Sequence, residues 1–339
     1  TPAVASPMDI GVRNHQDDNW PPDKFSKINW EIFRDKLEVR RLSCFNCPVY
    51  GRHLNKIKEG PYAGTFGEGV EANTLRGLGT NLDIDSPEAI LKGHILCNQL
   101  GLDIDFAAAT LGWAFESYQR GLLSKGDTGG LELVWGNADA ALRLIEQTAY
   151  RQGLGTLLAE GVKRASDTVG GSSEQWALHI KGADINEGRM RSNKAWALGI
   201  SVATRGGGHL EGAPEVGIIL PQLTPEVSQT LFGTEDIGTL TSYDKKARVV
   251  FWQERVKALI DCMGICYFFS QWWGLDLISP EDLATLFSTA TGVDMSAGEL
   301  LKIGQKIHNV EKAFNTLHTN FSRKDDFPPT RYMTEPVRL

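Results

Sequence analysis

The sequence predicts a mainly α-helical chain of two domains with few short strands, and three observations carry that expectation. Over most of the 339 residues, apolar side chains recur at helical spacing. Glycines and cap-forming Ser and Asn punctuate those stretches where helices start and stop. Sustained period-two alternation is scarce. At 41% hydrophobic, the chain is long enough for two ordinary cores, given roughly 100–200 residues per domain.

In chain order, residues 28–41 carry Ile28, Trp30, Ile32, Phe33, Leu37 and Val39 as an apolar face leading into a cysteine pair. Residues 90–97 form an apolar helical run closed at Gly101, and residues 105–123 place Phe106, Leu111, Trp113, Phe115 and Leu122 at helical spacing. The loop 126–130 follows. Asn137 is the N-cap expected for a helix from Ala138 to Gln152, which Gly153 ends, and Gly155 to Ala165 reads as a shorter helix. Gly170-Gly-Ser-Ser173 is the best linker, dividing the chain into domains 1–172 and 173–339, and 177–180 is β-like. Helices resume over Pro225 to Phe232, Tyr243 to Met263, Pro280 to Thr291 and Ser296 to Ala313, the last with Ser296 as N-cap and Glu299 three residues on.

Two segments nearly repeat each other: Asn98-Gln99-Leu100-Gly101-Leu102-Asp103 and Asp261-Cys262-Met263-Gly264-Ile265-Cys266. Gly101 and Gly264 are expected in the left-handed position that ends a helix, with Leu102 and Ile265 as the apolar contact that follows. Asn98 and Asp261 then fall in a last helical turn, where the macrodipole disfavours a carboxylate and no backbone N–H is free. A polar acceptor kept there suits an external donor, so the two copies can hold two similar ligand halves. The alternative is an ordinary helix ending in each case.

All five cysteines are Cys44, Cys47, Cys97, Cys262 and Cys266. Cys44-Phe-Asn-Cys47-Pro48 has a spacing that lets adjacent thiolates grip one metal or cluster, and it also serves redox disulfides and zinc sites. No thioredoxin-like pattern surrounds it, and no second such pair or clustered histidine completes a zinc set. Cys97, on an apolar helix, reads either as a small buried hydrophobe or as a soft ligand for a soft metal. Spacing alone makes Glu71 a solvated glutamate in a Gly-rich loop. His209 follows Gly206-Gly207-Gly208, a run that lets backbone approach a ligand, and an imidazole there can pass a proton; a loop-bonded histidine is the alternative.

A net charge of −7 argues against a nucleic-acid partner, whose phosphates demand a basic surface. No apolar run approaches the roughly 20 residues of a membrane span, and the N-terminus has neither the basic nor the apolar region of a signal peptide. An odd number of clustered cysteines suits a reducing compartment. The expectation is a soluble, cytoplasmic protein.

These residues together resemble the second and third domains of the tungsten-containing aldehyde:ferredoxin oxidoreductase family. The similarity runs through Cys44-Phe-Asn-Cys47-Pro48, Glu71-Ala-Asn-Thr74-Leu75, Cys97 to Asp103, Gly153 to Gly161, Lys181-Gly182, Thr204 to Leu210, Asp261 to Cys266, and Phe314-Asn315 through Asp326. It implies a bis-pterin tungsten (or molybdenum) cofactor held at Asn98, Gly101, Leu102, Asp103, Asp261, Gly264, Ile265 and Cys266. It also implies a [4Fe-4S] cluster on Cys44, Cys47 and Cys266. Glu71 and His209 become the active-site glutamate and histidine, acting on an aldehyde whose electrons leave for ferredoxin or an electron-transfer subunit.

The family pattern is broken twice. A third cysteine is expected shortly after Cys47, where this chain has Pro48-Val49-Tyr50-Gly51-Arg52-His53, so the fourth ligand falls to Cys262, His53, another chain or nothing. A β-rich, cofactor-covering domain precedes the cysteine pair in the family, whereas this chain begins at Thr1; the resemblance implies that domain as a separate subunit or as the rest of a longer protein, and assembly into an oligomer. Related tungsten subunits of dearomatising benzoyl-coenzyme A reductases carry a cysteine ligand to tungsten, so a metal-bound Cys97 would favour that activity. A non-catalytic structural or electron-transfer module of the same fold is the alternative of another class.

Overall fold

Polar side chains that accept a backbone N–H three residues on begin the long helices. The computed structural model describes residues 8–271 and 273–337. In it, Ser86, Asp103 and Asn137 cap Pro87–Leu100, Ile104–Gln119 and Ala138–Tyr150, while Asn193, Thr224, Ser279 and Ser296 cap Lys194–Val202, Pro225–Phe232, Pro280–Thr291 and Ala297–His318. Each such cap contributes about 1 kcal/mol. The chain is mainly α with short strands, as the sequence predicts. Pro225–Phe232 and Pro280–Thr291 have the expected bounds, and Ser296 forms the expected capping box with Glu299.

Contacts divide the chain into two compact units, one running to Gly188 and rejoined by the segment from Pro329, the other spanning Arg189–Pro328. The first unit packs Leu91, Leu111, Trp113, Phe115 and Leu144 in its core. Its terminal segment is tied in by Arg331, whose guanidinium donates to both oxygens of buried Glu116 at 2.7 Å and to the Asn14 carbonyl at 2.6 Å. The second unit buries Val249, Trp252, Val256, Ile260, Leu283 and Leu300, mostly between helices Lys246–Cys262 and Ala297–His318.

Some elements differ from expectation. The stretch 28–41 is helical only to Leu37; Glu38–Leu42 is a strand, and it pairs antiparallel with Arg52–Lys56, which pairs with Phe66–Glu68. Its three central residues, Val39, Arg40 and Arg41, are all exposed, so burial imposes no readable alternation. A hairpin of Met8–Val12 and Asp17–Asn19 was equally silent in the sequence. Arg151, left-handed at φ 52°, ends its helix two residues before Gly153. Gly161 splits the next helical stretch into Gly155–Leu158 and Val162–Val169. The Gly-Ser segment at 170–173 lies inside the first unit as a tight turn: Ser173 is buried and its carbonyl accepts the Trp113 indole N–H at 3.3 Å. The division of the contacts falls instead between Gly188 and Arg189.

Candidate functional site

The two repeated segments have the same backbone geometry. Gly101 and Gly264 sit at φ 70° and 67°, where an L side chain is strained. Leu102 N–H donates to the Cys97 carbonyl at 2.9 Å, and Ile265 N–H to the Ile260 carbonyl at 2.9 Å; each is the six-to-one bond of a Schellman ending. Gly101 and Gly264 N–H groups complete the motifs on the Asn98 and Asp261 carbonyls. Asp103 (φ −67°, ψ 128°) and Cys266 (φ −65°, ψ 133°) follow in matching conformations. Their roles then diverge, since Asp103 caps a sixteen-residue helix while Cys266 opens a three-residue turn without a side-chain cap.

One turn before each acceptor stands a buried basic side chain. Asn98 Nδ2 lies 3.0 Å from His94 Nε2, and the Lys257 ammonium pairs with Asp261 Oδ2. Burial holds the His94 pKa below its usual value. In both copies one polar oxygen, Asn98 Oδ1 or Asp261 Oδ1, has no hydrogen-bond donor among the described residues, and both residues are exposed. His94 Nδ1 lies 2.8 Å from Thr74 Oγ1, so the first motif is joined to the segment that begins at Glu71.

The first motif also borders a concavity of about 420 Å³ with Thr110, Arg151, Glu160, Gly161 and Asp184 on its walls. Asp184 is buried and accepts Thr110 Oγ1 at 2.9 Å and Val162 N–H at 3.1 Å; burial nevertheless pushes its pKa up to about 6.

Cys44 and Cys47 lie on one turn, closed by Cys47 N–H to the Cys44 carbonyl at 3.1 Å, with Asn46 left-handed at φ 55°. Cys44 is exposed and Cys47 half-buried, its thiol donating to the Val49 carbonyl at 3.4 Å. Arg52, bonded to Glu68 at 2.8 Å, also reaches Cys44. Cys262 and Cys266, both exposed, belong to the second unit, and all five cysteines are free thiols. Among the described residues no group of three or more His, Cys, Asp or Glu side chains stands gathered as a metal site. Cys97 is fully buried, and burial, with a smaller push from the Asp103 charge, raises its thiol pKa to about 12. It packs as a small apolar side chain.

Glu71 stands on the wall of a first-unit cavity of about 640 Å³, with Trp30, Arg41, His53, Val70 and Leu75 among its neighbours. The carboxylate reaches solvent, yet the surrounding wall desolvates it and raises its pKa, with His53 acting in the opposite sense. His53 is not idle as a spare ligand: its Nδ1 lies 2.7 Å from Glu38 Oε2, a pairing that its place in an unpredicted strand concealed. Gly69, in the same wall, is needed because a Cβ there would fall 2.1 Å from His94 Nε2.

His209 belongs to the second unit. It opens a single turn after the three glycines and stacks on Trp196, with ring centroids 5.0 Å apart. Glu211 closes this loop by accepting Thr204 Oγ1 at 2.6 Å and Arg205 N–H at 3.2 Å, while Asn315 donates to the Thr204 carbonyl at 2.6 Å.

The family described as aldehyde ferredoxin oxidoreductase, domains 2 and 3, matches residues 4–338. The tungsten-containing aldehyde ferredoxin oxidoreductase of Thermococcus kodakarensis is 29% identical over 310 residues, covering 91% of this chain and 47% of the relative, and that of Pyrococcus furiosus is 29% identical over 308 residues with the same coverage. An aliphatic sulfonate oxidoreductase, WOR-like subunit, from Pyrococcus furiosus is 32% identical over 209 residues, covering 60% of this chain and 33% of the relative. The chain thus spans about half the length of the curated aldehyde oxidoreductases it matches. Among solved structures, the active site complex BamBC of benzoyl coenzyme A reductase with 1,5-dienoyl-CoA aligns with a TM-score of 0.77 over 96% of this chain and 51% of that chain, at 20% identity; that likeness is one of fold. No described helix is long and apolar enough to cross a membrane.

Proposed function

The chain belongs to the aldehyde ferredoxin oxidoreductase family, and from that premise we propose that it works in the oxidation of an aldehyde to a carboxylic acid, with a tungsten or molybdenum bis-pterin cofactor, a [4Fe-4S] cluster and ferredoxin as electron acceptor. The observation that carries the reading is the pair of helix ends with one backbone geometry, each offering an outward oxygen one turn after a buried basic partner. Asn98 Oδ1 and the outer oxygen of Asp261 fit two pterin halves as acceptors for ring or amino N–H groups. Gly101-Leu102-Asp103 and Gly264-Ile265-Cys266 bring backbone close beside them.

The thiol chemistry fits a cluster in the same reading. Cys44 and Cys47 are free thiols on one turn, Cys44 exposed and Cys47 half-buried, and Cys266 is an exposed free thiol. The fourth iron falls to Cys262 or to a ligand outside the chain. When bound, the cofactor supplies a two-electron acceptor; aldehyde plus water gives acid, two protons and two electrons, which leaves protons for the protein to manage. Glu71, desolvated and above its usual pKa, is suited to hold one, and His209 to pass another. Burial of Cys97 supports aldehyde oxidation over the reductase activity that a metal-bound Cys97 would favour. A β-rich covering domain or subunit, oligomeric assembly and a cytoplasmic setting belong to the same proposal.

The test is turnover in enzyme loaded with metal. Glu71→Gln and His209→Asn should each lower aldehyde-dependent dye reduction roughly 100-fold, the usual scale for an acid–base residue, with tungsten retained. Near-normal rates in both would move the proton chemistry elsewhere.

A further inference from the structure

The cavity lined by Glu71 is also lined by His53, whose pairing with Glu38 has no use in the proposed function. His53, on strand Arg52–Lys56, lies opposite Arg41 of strand Glu38–Leu42. Its Nδ1 is 2.7 Å from Glu38 Oε2, and the two side chains are only 16% and 14% exposed. Trp30 packs edge-on to the ring, with centroids 4.6 Å apart. Arg41 approaches the other carboxylate oxygen, Glu38 Oε1, at 3.5 Å and lies 5.7 Å from the Trp30 ring, so Glu38 is held from two sides.

A carboxylate only accepts hydrogen bonds. The nitrogen facing Glu38 therefore carries the proton, and in the neutral ring the lone pair is left on Nε2. A buried carboxylate that fixes the tautomer and then stabilises the imidazolium is a known device for making histidine a proton acceptor. The charged groups around His53 are Glu38 and Arg41 from the neighbouring strand and, across the cavity, Glu71 and Glu31. His53 and Glu71 line the same cavity, and His53 acts to lower the Glu71 pKa against the desolvation that raises it.

We propose that Glu38 and His53 form the proton outlet of this cavity, His53 Nε2 receiving from Glu71 the proton that Glu71 takes during turnover. The inference rests on the assignment of Glu71 as the acid–base residue. In the step the O–H bond of Glu71 breaks and an N–H bond forms at His53 Nε2. Glu71 returns to carboxylate, the imidazolium keeps its other N–H on Glu38, and no electrons move. His53 is a proton-transfer residue and Glu38 a positioning residue, acting through the ring.

Three variants of the metal-loaded enzyme and one spectrum decide it. His53→Gln should lower kcat roughly 100-fold with KM and tungsten content unchanged, and added imidazole should restore part of the rate. Glu38→Gln should lower kcat less and reshape its pH profile. Long-range ¹H–¹⁵N NMR of the full chain should show His53 protonated at Nδ1, and Glu38→Gln should abolish that preference. A His53→Gln enzyme within about threefold of wild type, or a ring protonated at Nε2, overturns the proposal. The tautomer and the Glu38→Gln profile decide it even if His53→Gln fails to load metal. Glu71→Gln separates the two levels: if that variant turns over normally, the assignment of Glu71 fails and the outlet with it, whereas an inactive Glu71→Gln beside a normal His53→Gln removes only the outlet.

Discussion

Cys97 and Asn98 are neighbours with opposite fates. The helix turns Cys97 into the core and Asn98 out to solvent, so the thiol becomes packing while the amide oxygen has no donor among the described residues. The consequence for Cys97 is chemical. With its pKa pushed up to about 12, it has almost no thiolate at neutral pH. Iodoacetamide should modify Cys44, Cys262 and Cys266 in the cluster-free folded chain and reach Cys97 only after denaturation, read by peptide mass spectrometry. Fast native labelling of Cys97 would contradict its place in the core. The sequence made Cys97 legible as a choice between hydrophobe and ligand, because it names the helix but not which side of it meets the core. His53 was harder to read: its partner Glu38 is fifteen residues away across a strand pair with no alternation to announce it.

At the scale of elements, chain punctuation was the readable part. Gly101 and Gly264 marked two helix ends, and the caps Asn137 and Ser296 marked two starts, because each is a local rule with a local residue requirement. Strands Glu38–Leu42, Arg52–Lys56 and Phe66–Glu68 were not readable, since their pairing joins residues 10 to 17 positions apart and neither face is fully buried. Gly101→Ala forces a left-handed alanine into open space, so the backbone is the only cost. It should lower stability by about 1 kcal/mol in urea unfolding; no change would mean that the helix end is not held at positive φ.

Asp184 gives the strand Ala183–Asp184 a pH signature. Its pKa in the fold, about 6, lies above the ordinary aspartate value, so the fold favours the neutral carboxyl. The contribution is fully present below about pH 4 and is lost as pH rises through about 6. Asp184→Asn should flatten the stability profile in that window by an amount of order 2 kcal/mol. An unchanged slope between pH 4 and 6.5 would contradict the assignment.

For the whole molecule, the ion pair between Arg331 and Glu116 joins positions 215 residues apart in sequence. Both side chains are buried, and Arg331→Met leaves Glu116 with only Arg120 and the Asn14 amide as partners, so it should destabilise the first unit by about 1.5–3 kcal/mol; a loss below about 1 kcal/mol would mean that the terminal segment is not docked. Nothing near Arg331 in the sequence points to Glu116, which is why the division of the chain could not be read from linker composition. The central proposal is that each of the two matching helix ends takes one pterin of a tungsten cofactor. It is tested most directly by elemental analysis of the chain purified anaerobically from cells supplied with tungstate, beside the Asn98→Ala/Asp261→Ala variant with its helical circular dichroism intact. Tungsten and iron are expected in the wild type, and iron without tungsten in the variant. Tungsten retained in full by the variant, or absent from the wild type, would contradict it.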